Sequence, residues 1–274
     1  MTKSYALRRH ALTITIGLAA AACAIQSAEA QAADEEAAPD SWKFGLGAGV
    51  LSGPRYPGSS KNKVAALPLV SVSYGRFFFG GIPGGGIPAG LGVNLVDSGD
   101  WKFGVGLGYD LRSPRKESDD ARLTGLGDIA KTPHATLFGS YGHDWYKVRA
   151  NVVTDIGGKH EGTQASLEFE GKYHLSPQFA LSAGPGLTWA DTKYTQTFFG
   201  VTSAQSATSG LAPHSATSGL NSLQFSIGAE YAYSRDVLFG ARASFGTLRR
   251  DARSSPITSS TSQNTLGLFG IYRF

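Results

Sequence analysis

Trp101-Lys102-Phe103-Gly104-Val105-Gly106-Leu107-Gly108-Tyr109-Asp110-Leu111 is the stretch whose reading decides the fold. Its odd-numbered positions are all aromatic or aliphatic, and the even ones are Lys102, Asp110 and three glycines. Side chains alternating with a period of two belong to a β-strand with one apolar face. On that face the rings Trp101, Phe103 and Tyr109 lie toward the ends, with Val105 and Leu107 between them. A strand that crosses a bilayer is built this way, with rings at the two interfaces and aliphatic side chains at mid-depth. The glycines of the opposite face suit a crowded, curved inner wall.

The pattern recurs. Residues 42–51, 64–74, 76–82, 87–96, 101–111, 133–142, 145–154, 164–174, 179–190, 223–233, 237–245 and 265–274 read as twelve strands, the Gly-rich fourth being the least marked. Connections alternate in length. Tight turns such as Tyr74-Gly75 and Ser234-Arg235-Asp236 fall on one side, and the long loops 112–132, 191–222 and 246–264 on the other. A soluble sandwich has no reason to sort its loops by parity. An all-β, transmembrane antiparallel up-and-down barrel of about twelve strands does, and an even count places both chain ends in the periplasm. The last strand carries Leu266, Leu268, Tyr272 and Phe274 on one face, and this tail resembles the closing strand that barrel insertion machinery recognises.

Composition agrees with this reading. Hydrophobic residues make up 41% of the 274, and no mature stretch reaches the 18 or more apolar residues of a membrane helix. Lys3, Arg8 and Arg9 precede an apolar run from Ala11 to Ile25 and then Ala28-Glu29-Ala30, the three parts of a secretory signal. Domain limits follow: signal peptide 1–30, an acidic flexible periplasmic leader 31–41, and the barrel 42–274. A rival reading takes Ala20-Ala21-Ala22-Cys23 as a lipoprotein processing box. Cleavage after Ala30 removes the single Cys, and with it disulfide and thiolate chemistry. It also lowers the formal charge from +4 to +2, which argues against nucleic acid as a partner.

Candidate chemistry is sparse. Gly45-x-Gly47-x-Gly49 and Gly104-x-Gly106-x-Gly108 lie on strand faces, whereas a dinucleotide fingerprint needs its glycines in a strand-to-helix turn. His174-Leu175-Ser176 could suggest a hydrolase pair, but it lies at the periplasmic end beside a Ser-Pro turn. His134, His143, His160 and His214 lack metal-ligand spacing and read as isolated polar residues. Glu117, Asp119, Asp120 and Asp128, balanced by Arg115, Lys116 and Arg122, read as a solvated mixed-charge loop and not a calcium loop. No catalytic, cofactor or metal residue is therefore assigned. In the long loop, Ser206 to Leu211 and Ser215 to Leu220 repeat one hexapeptide, read as duplication in a permissive surface segment. Inward charges are expected from Lys43, Asp110, Lys147, Arg149, Glu168, Glu170, Lys172, Glu230 and Arg242. They imply either a salt-bridged network or a thin aqueous path in a wet lumen.

Arg55-Tyr56-Pro57-Gly58-Ser59 after a Gly-alternating strand, Gly90 to Leu95, Phe199-Gly200-Val201-Thr202 with Ser209 to Leu211, and terminal Tyr272-Arg273-Phe274 together resemble the MipA/OmpV family of outer-membrane proteins. The resemblance implies a non-enzymatic outer-membrane barrel and marks Tyr56, Gly58, Ser59, Phe199 and Gly200 as family-like loop positions. It also implies an envelope scaffold in peptidoglycan remodelling, with a murein hydrolase and a penicillin-binding protein as partners beside outer-membrane lipid. A small diffusion channel affecting osmotic response or antibiotic permeability is the alternative.

Overall fold

The computed structural model describes residues 41–83, 89–110 and 114–274. The signal segment, the leader up to residue 40, the start expected for the fourth strand at Ile87, and Leu111 lie outside them. The chain is a closed barrel of twelve antiparallel strands: β1 (Trp42–Pro54), β2 (Asn62–Tyr74), β3 (Phe77–Gly80), β4 (Gly90–Ser98), β5 (Trp101–Tyr109), β6 (Pro133–His143), β7 (Tyr146–Asp155), β8 (Thr163–Ser176), β9 (Phe179–Ala190), β10 (Gly219–Ala232), β11 (Val237–Leu248) and β12 (Ser262–Arg273). Each strand pairs with its neighbour in sequence, and β12 returns to β1. All the short turns and the visible chain ends lie at one end, the turn end, and all the long connections at the other, the loop end.

The outer face is apolar as the alternation demands. Trp42, Leu91, Leu107 and Phe274 are 61%, 65%, 57% and 68% exposed, and Leu266, Leu268 and Tyr272 share their face. So large a continuous apolar surface belongs against hydrocarbon. Ring pairs girdle the turn end, among them Trp42–Tyr74 at 4.9 Å and Trp101–Tyr141 at 4.6 Å between centroids. Tyr109, Trp189 and Phe245 do the same toward the loop end.

Three sequence expectations are corrected. β3 is four residues long, not seven: at Gly80 (φ +151°) the chain leaves the ladder, and Ile82 turns into the interior, fully buried beside Phe78 and Phe138. The interior is also not uniformly polar, because Leu51, Leu67, Leu69, Leu238 and Ile271 pack into a buried apolar cluster on the side formed by β1, β2, β11 and β12. Finally, 191–222 is not one open loop. It holds α1 (Thr192–Phe199), capped by Asp191 Oδ1 accepting from Tyr194 N at 2.7 Å, and α2 (Ser203–Ser209), opened by a Thr202/Gln205 capping box and closed by left-handed Gly210. A third short helix, α3 (Arg250–Ser254), follows β11.

The seam between β1 and β12 runs from Gly45↔Arg273 to Ser52↔Leu266, against the longer Trp42↔Tyr74 to Pro54↔Asn62 ladder of β1 with β2. It is fastened beyond both ends. Phe274 N donates to Phe44 O (2.9 Å) at the turn end. At the loop end Ser259 N donates to Gly58 O (2.8 Å), and Gly58 N donates to Gln263 Oε1 (2.9 Å).

Candidate functional site

The polar half of the interior holds a chain of ion pairs centred on Glu170 and a separate Lys172–Glu230 pair. On β7, β8, β10 and β11, alternation turns Arg149, Glu168, Glu170, Lys172, Glu230 and Arg242 inward, and the structure brings them together. Glu170 is the hub: Oε1 accepts from Arg149 Nη2 at 2.8 Å, and Oε2 accepts from Arg242 Nη1 at 3.0 Å. Arg242 also reaches Glu168 Oε2 (3.8 Å), whose other oxygen accepts from Gln224 Nε2 at 2.8 Å. Lys172 Nζ closes on Glu230 Oε2 at 2.6 Å. Among these six residues three cations face three anions. β8 and β11 are three strands apart around the wall, so the Glu170–Arg242 pair is a chord across the lumen. Lys147 lies half-buried toward the turn end, while Lys43 is exposed. Ion pairs therefore line one side of the lumen, and an apolar cluster, mostly leucines, lines the other.

Its loop end is covered as well. Tyr56 from the loop after β1, Leu123 and Leu126 from the loop after β5, Val201 from the loop after β9 and Ile257 from the loop after β11 form one buried cluster. A second unites Ile129, Phe198, Phe199, Leu248 and Ala252, with Tyr194 against it. All the family-like positions fall in this cap. Tyr56, Ser59 and Phe199 are almost wholly buried, Gly200 is buried, and Gly58 (φ +94°) packs where a Cβ would meet Thr258 Oγ1 at 2.7 Å. Residues 115–128 are no solvated loop either. Arg115 is buried and donates to Phe198 O (3.0 Å), and burial lowers its guanidinium to about 10. Asp119 is buried, and Asp120 pairs with Lys61 at 2.8 Å across to the first loop. The repeated hexapeptide serves twice in different conformations. Thr208, in the helical copy, donates to Gly125 O at 2.7 Å, whereas Ala216 and Thr217, in the irregular start of the second copy, bond Gln196 Oε1 and Asp251.

Phe199→Ala removes a fully buried ring from the cap and not from the wall. It is expected to loosen the cap by about 3–5 kcal/mol. Limited proteolysis of the refolded variant is expected to cut within 191–218 faster than wild type while the barrel stays heat-modifiable on gels. Equal cleavage rates contradict this.

At the loop-end rim, the ends of β5, β6 and β7 gather groups that spacing left apart. His134 Nε2 lies 3.0 Å from Asp110 Oδ1 and 3.7 Å from Glu161 Oε2. Thr132 N donates to Asp110 Oδ2 (3.0 Å), and Asp155 accepts from Thr132 Oγ1 (2.5 Å) and Glu161 N (3.1 Å). Burial, followed by the neighbouring charge of Asp110, pushes the Glu161 carboxyl up to about 8. Burial and the charge of Glu161 raise the Tyr194 phenol above it. His134 is thus not isolated as expected. His143 pairs with Asp100, and His214 meets Asp251 O. At the turn end His174 is exposed, and Ser176 Oγ accepts from Gln178 N and Phe179 N, so that hydroxyl closes a turn.

A closed twelve-strand barrel with a lipid-facing exterior, short turns and chain ends on one side, and long loops on the other is an outer-membrane β-barrel. Residues 46–274 match the family model described as MltA-interacting protein MipA, and the chain belongs to that family. No curated protein matches the chain. Among solved structures it is similar to the outer membrane channel DcaP of Acinetobacter baumannii (11% identity, 85% of this chain and 96% of that one, TM-score 0.40). It is also similar to OmpT of Vibrio cholerae (11%, 85% and 97%, 0.39) and to the toluene transporter TodX of Pseudomonas putida (13%, 95% and 94%, 0.38). These likenesses concern barrel shape alone.

Proposed function

We infer that this chain is a non-enzymatic envelope scaffold whose periplasmic turns or acidic leader, residues 31–41, contact cell-wall enzymes. The observation that carries the reading is an interior spanned by ion pairs beneath packed loops. Glu170 bridges two arginines across the interior, and four loops pack over the mouth. A barrel filled in this way works through its rims. The family's name describes an interaction with MltA, a murein hydrolase, and the periplasmic rim is where a murein enzyme meets an outer-membrane barrel. A murein hydrolase and a penicillin-binding protein are the proposed partners, and the terminal strand ending at Phe274 is the proposed signal to the insertion machinery.

Detergent-extracted full-length protein is expected to retain a lytic murein hydrolase in pull-down from envelope extract, and to lose it when residues 31–41 are removed. In planar bilayers it is expected to give no conductance steps. Steady conductance together with no captured murein enzyme would reverse the reading in favour of a diffusion channel.

A further inference from the structure

The rim cluster under α1 supplies one imidazole and two carboxylates from three separate pieces of chain. Asp110 follows β5, His134 is the second residue of β6, and Glu161 lies in the β7–β8 connection. One ligand atom of each lies within 4.8 Å of the other two. Donors bound about 2.1 Å from a tetrahedral ion stand about 3.4 Å apart, close to the 3.0 and 3.7 Å already separating Nε2 from its neighbours.

Glu161 distinguishes this trio from an ordinary His–Asp pair. Its side chain is only 5% exposed, and its Oε1 is buried with no hydrogen-bond partner among the described residues. A buried carboxyl oxygen without a partner is costly, and here the other oxygen of the same group lies 3.7 Å from His134 Nε2, so a cation among these donors would meet it. Asp155, whose oxygens are taken by Thr132 and by backbone N–H groups, adds a third acid behind. Asp110 is held in orientation through its second oxygen by the N–H of buried Thr132, as outer-shell bonds hold metal ligands.

We propose that Asp110, His134 and Glu161 form a site for a divalent cation of borderline hardness, zinc or a first-row neighbour such as cobalt(II). The imidazole disfavours calcium and magnesium, which take oxygen ligands. The ion occupies the point faced by His134 Nε2 and the two carboxylates. With the ion on the Nε2 lone pair the neutral imidazole carries its single proton on Nδ1, any further proton held by the trio passes to solvent, and the ion ties the β7–β8 loop to the ends of β5 and β6. This inference does not depend on the scaffold reading.

The test uses tag-free mature protein, refolded in detergent and stripped with chelator. After equilibration with Zn2+ and gel filtration, elemental analysis is expected to find one zinc per chain. Co2+ is expected to give the visible absorption of a low-coordinate site, bleached by added Zn2+. Glu161→Gln, which keeps the shape and removes the charge, is expected to weaken binding at least about tenfold. His134→Ala is expected to abolish the cobalt spectrum. Wild type that returns from gel filtration without zinc overturns the proposal. So does equal affinity in Glu161→Gln, and because that variant is isosteric the comparison stands even if His134→Ala does not fold.

Discussion

Glu170→Ala is expected to be the most damaging charge removal in the chain, lowering the stability of the refolded barrel by about 3–5 kcal/mol. The side chain is buried and holds Arg149 through one oxygen and Arg242 through the other. Truncation leaves two guanidinium groups facing one another in the lumen with their shared anion gone. Arg242 keeps only the longer 3.8 Å approach to Glu168. Removing one partner of a buried pair costs far more than removing the whole set, because the surviving charge has lost its water without compensation. A triple variant with Glu170, Arg149 and Arg242 all replaced by leucine or methionine is therefore expected to recover most of the loss. Urea unfolding in lipid vesicles, followed by tryptophan fluorescence, measures both. An alanine variant within about 0.5 kcal/mol of wild type would show that Glu170 does not hold the lumen together.

Gly184→Val is expected to prevent assembly, at a cost above about 4 kcal/mol. The β8–β9 register is interrupted between Glu168↔Gly186 and Gly171↔Ala183, and Gly184 and Pro185, the latter without an N–H, lie in that gap. The two strands close up at this point, and a Cβ on residue 184 would stand 1.8 Å from the carbonyl oxygen of Phe169, a backbone atom that cannot swing away. Gly267→Ala is the matched control. Its Cβ would find only Leu51 Cδ1, at 3.6 Å, an ordinary contact. Heat-modifiability on gels after refolding is expected to show a folded band for the control and none for Gly184→Val. Equal folding of the two would mean that β8 and β9 can part without consequence.

The barrel was legible in the sequence because lipid enforces the alternation. Every second side chain from Trp101 to Tyr109 meets hydrocarbon, and a slip of one residue would bury Lys102 in it. Alternation likewise marked Arg149, Glu168, Glu170, Lys172, Glu230 and Arg242, whereas Lys43, expected inward by the same pattern, is exposed. The apolar part of the lumen was hidden in β2, where Val64 to Val70 is apolar on both faces, a run that marks a strand buried on two sides. The cap was hidden by weak local preference. Ser-Ala-Thr-Ser-Gly-Leu is helical at 206–209 in its first copy, whereas in its second 215–218 is irregular and Gly219 and Leu220 begin β10, so tertiary contacts decide what the hexapeptide alone does not. The rim cluster left no trace in spacing at all. His134 meets Asp110 because β6 is registered with Gly108 on one side and Asp155 on the other, a coincidence of strand pairing and not of motif.

The fastening of the first strand to the last also carries information about timing. The hydrogen bonds joining Gly58 to Ser259 and Gln263 link residues about two hundred positions apart, and they cannot exist before the final hairpin has arrived. The covering over the mouth, which includes Tyr56 and Ile257, is therefore a record that the cylinder has been completed. A chain still waiting for its last hairpin would present those greasy loop residues bare to water and to proteases, which makes the exposed surface a natural mark of unfinished molecules.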